Sequence, residues 1–230
     1  MRSAFDRLIS WTGLILAAVL LVAGGLLTWA TTFVGGMVHD QLSDQDITMP
    51  SGPALESLPE ADAKALEPFA GQPMVTGPAA RAYADHFIQA HMNAGSTGLQ
   101  EKVEALGVDT SAWELPLTYS SAGAVASAIS ADDSLSDETK AEATELVNTF
   151  RNDTLFKGNT LRGLLLYGFA FATIGTIAGI AAVAAFVAAA VLIVLGLLGL
   201  RNARKVDATV AAAPDGGATP RGPSTAPTAG

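Results

Sequence analysis

Residues 160–201, "TLRGLLLYGFAFATIGTIAGIAAVAAFVAAAVLIVLGLLGLR", decide the architecture. Between Arg162 and Arg201 lie 38 consecutive residues without a charge. A bilayer needs only about 20. A straight helix from Arg162 to Arg201 covers about 58 Å, against about 30 Å of hydrocarbon. Holding all of it in lipid needs a tilt near 60°, whereas tilts seldom pass about 40°. Counting about 20–24 residues back from Arg201 puts the outer membrane face near Ala178. Residues 161–176 are therefore expected to stand outside the bilayer.

A second apolar block lies near the other end of the chain. Leu8 to His39 is 32 residues with no Asp, Glu, Lys or Arg. Trp11 and Trp29, about 27 Å apart on a helix, mark the two membrane–water interfaces. Arg2 and Arg7 precede this block, and no Lys or Arg follows it until Lys64. The positive-inside rule then puts the N-terminus in the cytoplasm, and Arg201, Arg204 and Lys205 return the C-terminus there. A cleaved signal peptide ending at Thr28-Trp29-Ala30 is the rival reading. The apolar run is much longer than the 7–15 residues of a signal-peptide core, which favours an uncleaved anchor.

These blocks divide the chain into a cytoplasmic N-terminus (1–10), a first transmembrane helix with an outward extension (11–38), an acidic extracytoplasmic domain (39–160), a second such helix (161–200) and a disordered cytoplasmic tail (201–230). The expected fold is a mostly α membrane protein. Two long antiparallel helices extend outward into a small helical domain with at most a short two-stranded ribbon. Exposed apolar helix in water costs about 25 cal/mol per Å². The two protruding ends are thus expected to pack on each other and on the domain, with Leu164, Leu165, Leu166, Tyr167, Phe169 and Phe171 in its core.

Small residues recur at helical spacing on both helices. Gly24, Thr28, Thr31 and Gly35 lie on the first. Gly168, Ala172, Gly175, Gly179 and Ala182 lie on the second. Such residues let helix backbones approach closely in lipid, so they form a candidate packing seam, within the chain or between copies.

Residues 37–158 hold 19 Asp and Glu against 6 Lys and Arg, a net charge of −13 within a chain of −9. That surface disfavours nucleic acid and anionic lipid as ligands. Gln45 to Met49 and Met74 to Thr76 have a short extended look. Pro59 to Phe69 reads as a short helix. Pro78 to Met92 reads as a longer one, with Ala80, Tyr83, Ala84, Phe87, Ile88 and His91 on its apolar face and Arg81, Asp85 and Gln89 opposite. Gly95 to Gly98 reads as a turn before a short helix to residue 106. Trp113 is expected to be buried, and Ala122 to Ile129 to be helical. Ser134 or Ser136 should cap a last helix with Ala143, Leu146, Val147 and Phe150 inward, ending or kinking at Gly158.

With no cysteine, the chain has no disulfide, thiol nucleophile or Cys-bound metal. No P-loop, GxSxG, dinucleotide fingerprint or HExxH occurs. His86 and His91 are five apart and point about 140° away from each other on a regular helix. His39, His86 and His91 with Asp85 are the only metal-ligand candidates, and they lack helical metal spacing. Asp44 and Asp46 lack the ordered loop of oxygen ligands that calcium takes. No ionisable side chain occupies bilayer depth, against a pump or transporter.

Three segments, "SDQDITMPSGPAL" (43–55), "GPAARAYADHFIQAHM" (77–92) and "TLFKGNTLRGLLLYGFAFATIGTIA" (154–178), resemble a group of actinobacterial two-span membrane proteins. The third is the most specific, and residues 107–133 match nothing in the group. Members often carry the label aromatic ring-opening dioxygenase. That label implies Fe(II) held by two His and one carboxylate, a triad that does not map onto this chain.

Three functions follow as expectations. The first is a non-catalytic envelope scaffold or partner-binding protein without a cofactor. Its partners would be the lipid bilayer and either a second copy of the chain or another envelope protein. The second is a metal-dependent, dioxygenase-like enzyme. The third is an oligomeric two-span channel with Thr28, Thr31 and Thr32 on its wall.

Overall fold

The computed structural model describes the backbone of residues 2–211 and the side chains of residues 5–205. The chain is mostly helical, and no strand forms among the described residues. Two helices are long and apolar enough to cross a membrane, within Phe5–Ser43 and Asp137–Lys205. The first is α1 (Arg2–Ser43). The second is α8 (Lys157–Ala211). The expected cytoplasmic tail is thus helical to Ala211, and residues 212–230 lie outside the described residues.

The chain divides into two compact units, Met1–Leu26 with Ala181–Gly230, and Leu27–Ile180. In the first, α1 and α8 run against each other through small residues. A Cβ on Gly196 would come within 3.0 Å of Leu14, and one on Gly199 would strike the Ser10 hydroxyl. Ser10 is itself buried and donates to the Asp6 carbonyl at 2.7 Å. Gly24 lies under the ring of Phe186.

The second unit contains the polar segment and the protruding helix ends. It begins with α2 (Pro53–Glu56) and α3 (Glu60–Leu66), the latter extended by a 3₁₀ turn to Phe69. In place of the expected ribbon there is one antiparallel bridge, Thr48 to Pro73. Met49 donates to Gln72 at 2.9 Å and Met74 donates to Ile47 at 2.8 Å. Pro50 and Pro73 have no backbone N–H to donate, which stops the ladder from growing.

The helix expected from Pro78 exists but is not regular. It comprises α4 (Gly77–Ala82), a π-helical segment Tyr83–Ile88 and α5 (Gln89–Glu104). Thr76 caps it by accepting from the Ala79 N–H at 3.3 Å. The turn expected at Gly95–Gly98 does not occur, and α5 runs straight through. The two glycines cost about 1 kcal/mol each in a helix. Gly95 is retained by close packing, since a Cβ there would lie 2.9 Å from Phe150. Ser96, fully buried, donates to Met92 and accepts from the Leu117 N–H at 3.2 Å, fixing the following loop against the helix.

α6 (Tyr119–Ala131) starts in a Thr118/Ser121 capping box. α7 (Asp137–Thr149) is capped by Ser136, with Asp137 and Glu138 in its first turn where the helix dipole favours anions. These elements enclose one core, in which Val103, Ala122, Ala143, Val147 and Phe150 are buried and Trp113 is half-buried. Gly158 neither ends nor kinks this helix. A π-helical segment, Phe150–Phe156, joins α7 to α8 without a break. Gly158 instead leaves room for the Met92 side chain, whose sulfur would lie 2.5 Å from an added Cβ.

A second core lies around the helix ends. Val38 and Leu42 of α1 and Leu165 of α8 are buried there with Met49, Leu66 and Met74. The expectation that the domain would cover the protruding part of α8 therefore holds for one face only. Leu165 is buried and Leu166 and Ala172 pack against the core. Leu164, Tyr167 and Phe171 are 62%, 67% and 47% exposed. A helix has two sides, and the polar segment reaches only one of them.

Candidate functional site

The residues that hold the polar segment to α8 form a ladder. Helix α4, the π-segment and the start of α5 run antiparallel to the first four turns of α8. Gly77 sits so close to Ala172 that any Cβ on it would overlap the alanine methyl. One turn on, the Arg81 guanidinium lies over the Phe169 ring, 4.9 Å from its centroid. Then Asp85 accepts from Arg162 at 2.8 Å, while Arg162 Nε donates to the Ala84 carbonyl at 3.0 Å. The last rung is Gly158 beneath Ile88 and Met92.

Arg162 is 24% exposed and Asp85 29%. A charge-assisted hydrogen bond with such partial screening is worth about 1–2 kcal/mol. The π-segment makes it available. An extra residue in a turn rotates everything after it by roughly 100° and shifts the apolar face. Asp85, expected on the solvent side, thereby turns toward α8.

The same rotation corrects the reading of His91. It is exposed rather than part of the core. Its Nδ1 lies 2.8 Å from the Phe87 carbonyl oxygen, and its ring lies 4.3 Å from that of Phe87. His86 pairs with Asp62 of α3 at 2.8 Å, a half-exposed contact that ties α3 to the π-segment. His39 is exposed on α1. The four metal-ligand candidates thus stay in separate environments. Among the described residues no three His, Cys, Asp or Glu side chains converge as a metal site.

The small-residue positions have distinct partners. The Thr31 hydroxyl donates to the Gly175 carbonyl at 3.1 Å. A Cβ on Gly175 would meet Val34 at 3.5 Å, and one on Gly179 would meet Thr31 at 3.4 Å. Gly168 faces Leu42, and Ala172 faces Gly77. Gly35 has nothing within 4 Å of where a Cβ would be. The Thr32 hydroxyl donates to the Thr28 carbonyl at 3.0 Å, along its own helix.

Beside this packed face is an open apolar groove of about 640 Å³ between the end of α1 and the start of α8. Met37, Gln41 and Asp44 form one wall and Leu164, Tyr167 and Phe171 the other, with Tyr83 at the floor. Burial raises the Tyr83 phenol above its ordinary pKa, so it remains a neutral hydrogen-bonding group.

Sequence reasoning missed the Asp62–His86 pair, the Gly77–Ala172 contact and the partner of Arg162. One signal was available for the last. Arg162 is the only charge between Lys157 and Arg201, and a charge at the head of an apolar helix calls for a counter-ion. Comparison with family models, with curated proteins and with solved structures finds no match to this chain.

Proposed function

We propose that the chain is a two-span envelope protein whose acidic helical segment, residues 39–160, is held outside the membrane as a non-catalytic scaffold or partner-binding domain. Both termini lie in the cytoplasm in this reading. Kinship with the actinobacterial two-span proteins belongs to the same proposal, supported by the three matching segments.

The observation that carries it is a coincidence of level. Trp29 suggests the outer interface on α1, and a span counted back from Arg201 suggests it near Ala178 on α8. Thr31, two residues beyond Trp29, lies against Gly175 and Gly179. The two markers were obtained from different residues by different arguments, yet they meet at one height. Above that height, the helix ends carry the ladder and the second core. This is what a rigid pedestal requires.

No reaction is assigned. Asp62–His86 and Asp85–Arg162 are each accounted for by the helix contact they make. The Thr31 and Thr32 hydroxyls bond backbone carbonyls, which leaves them poor candidates for a polar channel wall.

The test exploits the absence of cysteine. Single-cysteine variants at Ser57, in the polar segment, and Asn202, beyond the second span, are labelled in intact cells with a membrane-impermeant maleimide. Labelling of Ser57→Cys alone, with Asn202→Cys reacting only after lysis, supports the reading. The reverse pattern contradicts it.

A further inference from the structure

We propose that the uncovered face of α8 between Thr160 and Ile174 is the contact through which two copies of this chain associate. The inference rests on the two-span reading, because it takes these residues to stand in water rather than lipid.

Four observations carry it. First, the exposed residues are not scattered. Thr160, Leu164, Tyr167, Phe171 and Ile174 follow 4-3-4-3 spacing, the seam of a helix that packs against another helix. Leu164, Tyr167, Phe171 and Ile174 are 62%, 67%, 47% and 58% exposed. A large contiguous apolar stripe of this kind is uncommon on a free surface.

Second, copies inserted in one membrane with one topology meet side by side and parallel, so α8 meets α8 at matching heights. A seam of this spacing is then self-complementary, as a two-fold contact demands. Third, its flanks admit a neighbour. Positions 163 and 170 beside it are Gly and Ala, and Gly163 has nothing within 4 Å of where a Cβ would be. Fourth, the seam carries no charge. The acidic segment, at −13, would repel its copy, but Arg162 is turned away toward Asp85 and adds nothing unfavourable at the contact. The groove between α1 and α8 is lined by Tyr167 and Phe171 and gives room for the partner's aromatic rings.

The small-residue positions, by contrast, are occupied within one chain, with Thr31 on Gly175 and Gly77 on Ala172. They do not offer the contact between copies.

The experiment uses the full chain in native membranes. Tyr167→Cys and Thr173→Cys are single-cysteine variants of exposed residues on different faces of α8 at similar height. Oxidative crosslinking should give a dimer, about twice the 23.5 kDa chain, for Tyr167→Cys and none for Thr173→Cys. Adding Leu164→Glu, an exposed position where a charge is harmless to a single copy, should abolish the Tyr167→Cys dimer. Equal crosslinking at both positions means random collision and overturns the proposal. So does a Tyr167→Cys that fails to crosslink but reacts with impermeant maleimide, a result that leaves the two-span reading standing. A Tyr167→Cys that neither crosslinks nor reacts until detergent is added lies against acyl chains. That outcome overturns the proposal and the expected membrane level together.

Discussion

The Thr31 hydroxyl donates to the Gly175 carbonyl oxygen at 3.1 Å while lying 3.0 Å from the Leu27 carbonyl of its own helix. This contact joins α1 to α8 at the height where Trp29 and Ala178 suggest the outer interface. Removing it with Thr31→Val should cost about 0.6–1.7 kcal/mol, the range for interhelical hydrogen bonds between membrane helices. The check is a melting curve in detergent against the parent chain. An unchanged melting temperature would mean that the bond contributes nothing to holding the helices.

At Gly175 the two helices are close but not locked. A methyl group at 3.5 Å from Val34 makes ordinary contact, so Gly175→Ala should be neutral or gain up to about 1 kcal/mol from helix propensity. Gly175→Leu should destabilise by about 1–3 kcal/mol through overpacking. Thermal melts of both variants test the pair. Equal effects would contradict the packing described.

Gly77 is the tightest rung of the ladder. Gly77→Ala should force α4 away from α8 at a cost of about 1–3 kcal/mol, because its methyl overlaps that of Ala172. Ala172→Gly in the same chain should restore most of the loss. Limited proteolysis of the polar segment reads the effect without needing a full melt. A double variant as labile as Gly77→Ala alone would show that the contact is not the cause.

Arg162 and Asp85 should be coupled. In a double-mutant cycle with Arg162→Ala and Asp85→Ala, the interaction is expected at about 1–2 kcal/mol, reduced by the partial exposure of both groups. Additive effects would mean that the pair is a surface contact without structural weight.

Acid should weaken two turns of the polar segment. Hydrogen bonds from Ser134 hold the Asp132 carboxyl below its ordinary pKa of 3.8, with Lys140 adding a smaller effect. Bonds from Ser111 do the same for Asp109. A lowered folded pKa stabilises above the unfolded value and is lost as pH falls through the folded one. The melting difference between parent and Asp132→Ala should therefore be present at neutral pH and shrink below about 3.8. A gap that widens in acid would reverse the sign of the argument.

Much of this architecture is legible from local pattern. The uncharged runs give the two long helices, Ser136 with Asp137 and Glu138 gives the start of α7, and the spacing of Ala143, Val147 and Phe150 gives its buried face. What escapes the pattern depends on contacts distant in sequence. Gly95, Gly98 and Gly158 read as breakers, yet Gly95 and Gly158 are sites where Phe150 and Met92 press against a backbone. The π-segment at Tyr83–Ile88 has no residue signature, and it moves Asp85 toward Arg162 and His91 into solvent. The uncovered side of α8 could not be separated from the covered side, because both are uniformly apolar.

The central claim is that α8 leaves the lipid well before its apolar run ends. Spin labels placed singly at Thr173, Thr176, Ile180 and Val183, with accessibility to oxygen and to a water-soluble relaxant compared in bilayers, test it most directly. The account predicts that Thr173 responds to the aqueous agent, that Val183 responds to oxygen, and that the crossover falls near Ala178. Oxygen-dominated relaxation at Thr173, as strong as at Val183, would contradict it.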